Sequence, residues 1–262
     1  MKNTNYNEYI ETAVNAAKAA GKIQLERLGT RLDIRFKGEA DLVTEVDLLC
    51  ERRIREITLG RYPEHAFLAE ESGGSAAADK RWIVDPLDGT TNYAHAYPFF
   101  CASVAFEQDG RIVAGAVYNP VAEELFTATR GGGAFLNGKP IHVSGHDRLE
   151  NAMIGAGFPY NRVERLGRGL ELFKKMLAAT QAIRRDGSAA LNLCYVASGR
   201  FDGFWELTLH PWDIAAGWLI VEEAGGRVTR LNGSEMIIDS PDIVASNGIL
   251  HEDIVKTMMS EE

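Results

Sequence analysis

The chain has 262 residues, 45% hydrophobic and 25% charged, an ordinary balance for a globular protein built as one large domain or two tightly joined halves. A formal net charge of -9 argues against a nucleic-acid binder of the simple electrostatic kind and suits a protein that gathers carboxylates around cations. The three cysteines, Cys50, Cys101 and Cys194, are odd in number with mostly apolar neighbours, which argues against a disulfide framework and points to the cytoplasm, while no apolar run nears the roughly 20 residues that span a bilayer.

Met1 to Asn5 leads into an amphipathic pattern, not an apolar signal core. Ile10, Val14, Ala17, Ala20, Ile23 and Leu28 then recur at helical spacing and predict a helix from about Tyr6 to Leu28. Leu32 to Phe36 alternates like a short strand. A second helix starts near Thr44, with Val46, Leu49, Ile54 and Ile57 on its apolar side, and Pro63 closes it. Arg52, Arg53 and Arg55 on that helix read as a solvated face. Ala66 to Ala69 is a strand ending at Glu70-Glu71, and Gly73-Gly74-Ser75 with its alanines forms a flexible connection.

Trp82-Ile83-Val84 reads as a buried strand, after which Asp85 opens a loop stiffened by Pro86. Strands then dominate. Cys101 to Glu107 and Ile112 to Tyr118 flank the hairpin signal Asp109-Gly110, and Leu125 to Thr129 precedes a second one at Asn137-Gly138. A composition shift from Gly145 to Asn151 is the candidate internal boundary of a single domain. Beyond it come a strand near Met153 to Phe158, a helix near Arg165 to Ala179 and a strand near Ala182 to Arg185. Ser188 caps a helix to Ser198. Phe201 to Leu207 is a strand, Pro211 opens a helix that Gly225-Gly226 ends, and a strand pair and short helix finish the chain. The mixture predicts a layered α+β architecture without a regular βαβ winding.

Three acidic clusters carry the chemistry. Glu70-Glu71 ends one strand, Asp85 and Asp88 follow the next, and Asp213 stands at a helix start after Trp212. Each acid alone is well explained as a cap or a surface residue. Together at strand ends they repel one another unless a hard cation such as Mg²⁺ is present. Gly89-Thr90-Thr91, directly after Asp88, resembles the opening of a helix with exposed N–H groups. Carboxylates beside such a helix start imply a divalent metal holding a phosphate.

Trp82 to Asn92 resembles the first signature of the inositol monophosphatase family, among the Mg²⁺-dependent, lithium-sensitive phosphatases. Trp212-Asp213-Ile214-Ala215-Ala216-Gly217, followed by Glu223-Ala224-Gly225-Gly226, resembles the second. Lys37-Gly38, Asp41 to Asp47 and Ala69-Glu70-Glu71-Ser72 match as well, so the likeness covers nearly the whole chain in order. It implies a five-layered αβαβα sandwich of the inositol monophosphatase and fructose-1,6-bisphosphatase type, and removal of phosphate from a small polyol. By position, Glu70, Asp85 and the Leu87 carbonyl bind a first Mg²⁺, and Asp85, Asp88 and Asp213 a second, with a third ion reached by Glu70 through water. Glu70 and Thr90 orient and deprotonate the attacking water, supported by Asp47. Gly89, Thr90 and Thr91 hold the phosphate, while Asp88, Gly187, Ala189, Glu206 and Asp213 contact the substrate. The resemblance also implies a homodimer. Lys37 compensates the acids or lies in solvent, and Glu206 binds hydroxyls or is a solvated strand-end acid.

Other motifs fail on spacing. Gly133 to Lys139 nearly spells a P-loop, but Pro140 stands where Ser or Thr must bind Mg²⁺, so a hairpin around Asn137-Gly138 is expected. His142 and His146 have a ligand spacing that Gly145 and a strand context spoil. There is no nucleophile elbow, and Pro86 stands where an aspartyl-phosphate phosphatase needs a second acid. Inositol monophosphate is the expected substrate. Thr91-Asn92-Tyr93 stands where the nucleotide branch often carries Lys-Glu-Phe, so 3'-phosphoadenosine 5'-phosphate is the weaker rival, and fructose 1,6-bisphosphate stays open. An interaction protein that keeps the fold and binds a macromolecule is the rival of another class.

Overall fold

The computed structural model describes residues 6–31, 33–36, 42–74, 78–158 and 162–260. Lys37, Gly38 and Asp41 of the sequence motifs lie outside them, as do residues 75–77 of the expected flexible connection. Gly73, just before that stretch, is held by a bridge to Ala69.

Helix α1 (Asn7–Arg27) buries Ala13, Ala16, Ala17 and Ala20, small side chains that let it lie close on a sheet. Strands β1 (Ile34–Phe36) and β2 (Leu42–Thr44) form an antiparallel ribbon leading into α2 (Glu45–Arg61). Thr44 and Asp47 form a capping box there, which fixes where the helix begins. A seven-stranded sheet follows: β3 (Ala66–Ala69), β4 (Lys80–Asp88), β5 (Cys101–Gln108), β6 (Arg111–Asn119), β7 (Glu124–Thr129), β8 (Gly133–Leu136) and β9 (Lys139–Pro140), in sequence order. Only the β3–β4 pair is parallel. The short α3 (Thr90–Ala94) sits between β4 and β5. Asp109-Gly110 and Asn137-Gly138 turn the hairpins with positive φ at both residues.

One boundary differs from expectation. Strand β4 does not stop at Val84 but runs on to Asp88. Its register shifts between Asp85, opposite Ser103, and Asp88, opposite Cys101. A bulge at Pro86-Leu87 therefore absorbs the missing proline N–H without ending the strand.

The second sheet holds β10 (Met153–Ala156), β11 (Ala182–Arg184), β12 (Gly203–Leu207), β13 (Arg227–Thr229) and β14 (Asp242–Ser246), in the order β11-β10-β12-β14-β13. Between and after these strands run α4 (Arg162–Ala179), α5 (Ala189–Ala197), α6 (Pro211–Glu223) and α7 (His251–Met259). Strand β10 is parallel to β11 and to β12, so α4 and α5 are crossover helices. This half therefore holds two parallel crossovers inside a mixed sheet, short of a regular βαβ winding. Periodicity locates elements but is silent on the order in which strands pair.

The layers run α1 and α2, the seven-stranded sheet, α5 and α6, the five-stranded sheet, then α4 and α7: an α+β sandwich of five layers. Separate apolar clusters fill the spaces between them. Helix α6, covered on both sides, buries Ile214, Ala215, Ala216, Leu219, Ile220 and Val221. Gly217 lets α5 approach it, since a Cβ there would stand 2.6 Å from Leu193. All three cysteines are free and buried. Among the described residues no helix is long and apolar enough to cross a membrane.

Candidate active site

The bulge at the end of β4 turns Asp85 and Asp88 into one region while hiding the Leu87 side chain. Asp85 is 2% exposed, and its Oδ1 accepts the Leu87 N–H at 3.0 Å. Burial first, then the charges of Glu70, Asp88 and Asp213, hold its carboxyl well above the usual range. Asp88 Oδ2 accepts the Ser188 hydroxyl at 2.6 Å and the Ala190 N–H at 2.7 Å. Burial pushes Asp88 up to about 6 against the lowering effect of those bonds. Ser188 also caps α5, as expected, by accepting the Leu191 N–H.

Gly89 has φ of 95°, and a Cβ there would lie 3.0 Å from the Phe99 carbonyl oxygen. Only glycine meets both demands, and it turns the chain into α3. The Thr90 hydroxyl stands 3.0 Å from Asp47 Oδ1 and 3.0 Å from the Leu87 carbonyl oxygen. Asp47 is fully buried, and its Oδ2 accepts both the N–H (2.9 Å) and the hydroxyl (2.6 Å) of Thr44. Burial raises its pKa, and the bonds from Thr44 and Thr90 oppose the rise. Thr91, the next residue, is exposed.

Glu70 is half-buried in the turn after β3, its N–H bonded to the Val84 carbonyl of the neighbouring strand. Glu51 of α2 holds that turn by accepting the N–H groups of Glu71 and Ser72. Arg55 reaches the Ser72 hydroxyl at 2.6 Å and lies 4.1 Å over the Phe67 ring. Arg52 and Arg53 are exposed, as the solvated-face reading expects, while Arg55, its side chain 40% exposed, also stacks on Phe67. Asp213 comes from the first turn of α6 and accepts the His210 N–H at 2.7 Å. Burial foremost, then Asp88, Glu70 and Glu206, raise its pKa well above the usual value.

Four carboxylates from two elements and one turn thus feel one another's charge. Among the described residues no three acidic, histidine or cysteine side chains gather closely enough to enclose an ion unaided. The all-oxygen donors and the mutual raising of their pKa values fit a hard cation.

Gly187 (φ 83°) and Ala189 flank Ser188 at the start of α5. Glu206 on β12 is 9% exposed, so it is no solvated strand-end acid. Burial pushes it up to about 8, with Arg185 opposing and Asp88 adding to the shift. Gly157 makes room for it, since a Cβ there would fall 1.9 Å from the Glu206 carboxyl carbon.

Several supports escape a sequence reading. Gln24 of α1 donates to the Pro86 carbonyl at 2.9 Å and to that of Cys101 at 3.3 Å. Its signal was a polar residue on an apolar helix face. Asn92 donates to the carbonyls of Phe99 and Asp186, both at 2.7 Å, tying α3 to the start of α5. Gly133 to Lys139 is the expected hairpin. The neighbouring amides of Gly131 and Gly133 bond the Glu223 carboxylate at 2.8 and 3.0 Å. His146 pairs with Asp202.

The model of the inositol monophosphatase family matches residues 5–261. The chain is 44% identical over 247 residues to the Nus factor SuhB of Pseudomonas aeruginosa, covering 91% of each. It is 42% identical over 259 residues to an inositol-1-monophosphatase of Mesorhizobium japonicum, covering 95% of each. Among solved structures, the extragenic suppressor protein suhB of Bartonella henselae superposes with a TM-score of 0.93 at 41% identity, over 97% of this chain and 100% of that one. The inositol monophosphatase of Anabaena gives 0.90 at 38% identity, over 98% and 97%.

Proposed function

The chain belongs to the inositol monophosphatase family, and from that premise we propose a Mg²⁺-dependent phosphomonoesterase that hydrolyses inositol monophosphate to inositol and phosphate. That it is a phosphatase follows from its relatives; the substrate and the residue roles are our reading. The observation that carries it is the turn from Asp85 to Thr90, with the Thr90 hydroxyl bonded to buried Asp47.

Glu70, Asp85 and the Leu87 carbonyl would hold one cation, and Asp85, Asp88 and Asp213 a second, with a third near Glu70. When bound, Mg²⁺ neutralises phosphate oxygens and lowers the pKa of water. The backbone N–H groups of Gly89, Thr90 and Thr91 bind the phosphate and direct their dipoles at its developing charge. Glu70 and the Thr90 oxygen orient a water for in-line attack on phosphorus. Its proton passes to Glu70, while Asp47 keeps the Thr90 hydroxyl hydrogen turned away from the nucleophile. The bond from phosphorus to the inositol oxygen breaks, and that oxygen leaves as the alcohol once protonated by solvent. Gly187, Ala189, Glu206, Asp88 and Asp213 hold the polyol.

Phosphate release from inositol 1-phosphate, fructose 1,6-bisphosphate and 3'-phosphoadenosine 5'-phosphate, with Asp88→Asn as control, tests this. Fastest release from the inositol ester, lost in Asp88→Asn, is the expected result. Preference for another ester keeps the chemistry and replaces the substrate. Likeness to a protein named Nus factor supports a second reading, in which the same fold binds a macromolecular partner. A biological effect that survives Asp88→Asn would favour it. The rest of the proposal is one domain, working in the cytoplasm as a homodimer; the free cysteines support that compartment.

A further inference from the structure

The turn after β13 and the approach to β14 face α4 across a cleft of about 280 Å³. Arg168 of α4 lines it, with Arg230 and Asn232 from the first turn and Ser240 and Asp242 from the other side. Neither arginine forms an ion pair among the described residues. The Nε of Arg230 is moreover buried without any hydrogen-bond partner. A donor cut off from water and left unsatisfied is unfavourable, and in a native protein such a group calls for an explanation, of which a bound ion is one. Asp242 does not supply the missing acceptor: its Oδ1 takes the Leu231 N–H at 3.0 Å, and it pairs with neither arginine. The oxygen of the Asn232 amide accepts the Ser234 N–H, which leaves its NH₂ end to donate.

Two guanidinium forks and an amide NH₂ without acceptors make a site for a tetrahedral oxyanion, because planar forks bind two oxygens at once. We propose that this cleft is a second anion site, binding the phosphate group of inorganic phosphate or a small phosphate ester through Arg168 and Arg230. The cleft exceeds a bare phosphate, and Pro241 gives its wall an apolar part that an ester's carbon skeleton would cover. The site is separate from the carboxylates but close along the sheet. Asp242 pairs with Leu207, the residue after Glu206, so an occupant sits beside the strand end that presents Glu206.

Calorimetric titration of the full chain with Mg²⁺ present, using inorganic phosphate and then glycerol 3-phosphate, tests the proposal. The wild-type chain is expected to bind phosphate at two sites, Asp88→Asn to keep the cleft site, and Arg168→Gln to weaken that site by about tenfold or more. Arg168 is exposed on α4, so its loss leaves the fold and phosphatase activity in place. Arg230→Lys, which keeps charge but loses the fork, should fall between Arg230→Gln and wild type. Tighter binding of glycerol 3-phosphate identifies the occupant as an ester; equal or weaker binding identifies it as phosphate itself. Binding that is unchanged in both Arg168→Gln and Arg230→Gln overturns the proposal. A single site lost in Arg168→Gln would uphold it while counting against the active-site reading.

Discussion

Ser188 donates its hydroxyl hydrogen to Asp88 Oδ2 at 2.6 Å, and its oxygen accepts the Leu191 N–H. One side chain therefore caps α5 and orients a carboxylate of β4, a hundred residues away in sequence. Ser188→Ala removes both contacts. The lost cap should lower stability by about 1 kcal/mol, a fall in Tm of about 2–4 °C. Asp88, freed from its donor, should then need more Mg²⁺ for half-maximal activity. Thermal melts and a Mg²⁺ titration check this. Ser188→Thr should recover the Mg²⁺ requirement, whereas a lower Tm with an unaltered requirement would reduce Ser188 to a cap.

Thr90 offers one hydroxyl hydrogen to two acceptors, Asp47 Oδ1 and the Leu87 carbonyl oxygen. If that hydroxyl positions the attacking water, Thr90→Ala lowers kcat by about a hundredfold or more, with KM and Tm near wild type. Thr90→Ser should restore most of the rate. Asp47→Asn should be harsher on the fold, because Asp47 also accepts the N–H and hydroxyl of Thr44 at the start of α2. Steady-state kinetics beside melts separate the two roles, and a Thr90→Ala enzyme at full kcat would remove Thr90 from the mechanism.

Asp85 is buried among like charges. In chelator, Asp85→Asn should melt at or above the wild-type temperature, because the repulsion disappears with the carboxylate. Added Mg²⁺ should raise the wild-type Tm by preferential binding to the folded state. The variant should gain little. Equal gains for both proteins in a thermal melt would count against a cation at Asp85.

Much of this arrangement was legible from local pattern. The apolar spacing of α1 and α2, the glycine turns at Asp109-Gly110 and Asn137-Gly138, and the cap at Ser188 all act within a few residues. What was hidden is long-range. The parallel pairing of β10 with β11 and β12 depends on how crossovers pack, which no local spacing encodes. The continuation of β4 past Pro86 depends on Cys101 and Ser103 opposite it. Gln24, Asn92 and the second partner of Ser188 act across 62 to 100 residues. Arg55 looked like its exposed neighbours until Phe67 appeared beneath it.

Gly157 is defined by what it leaves empty. The three atoms nearest to a methyl there would be those of the Glu206 carboxyl group, at 1.9–2.2 Å, the far end of a side chain able to swing away. Gly157→Ala should therefore displace Glu206 and leave the fold standing. The expected phenotype is a raised KM for a polyol phosphate with a small change in Tm, approaching that of Glu206→Gln. Additive effects in the double variant would mean that the two residues act separately.

Glu206 also sets a pH dependence whose sign is fixed by its burial. Its folded carboxyl is pushed from 4.5 up to about 8. Between those values the folded protein keeps a proton that the unfolded chain has released, so stability falls as pH rises across that window. Below it both states are protonated and nothing is lost. Glu206→Gln abolishes the difference. In chelator, urea melts should show wild type and variant alike near pH 4.5, with the variant ahead by a few kcal/mol at pH 8. Parallel profiles would mean that Glu206 is ionised in the folded protein. The gain should come with weaker substrate binding, because the carboxyl that strains the fold is the one that would meet a sugar hydroxyl, the usual conflict between stability and function at a site.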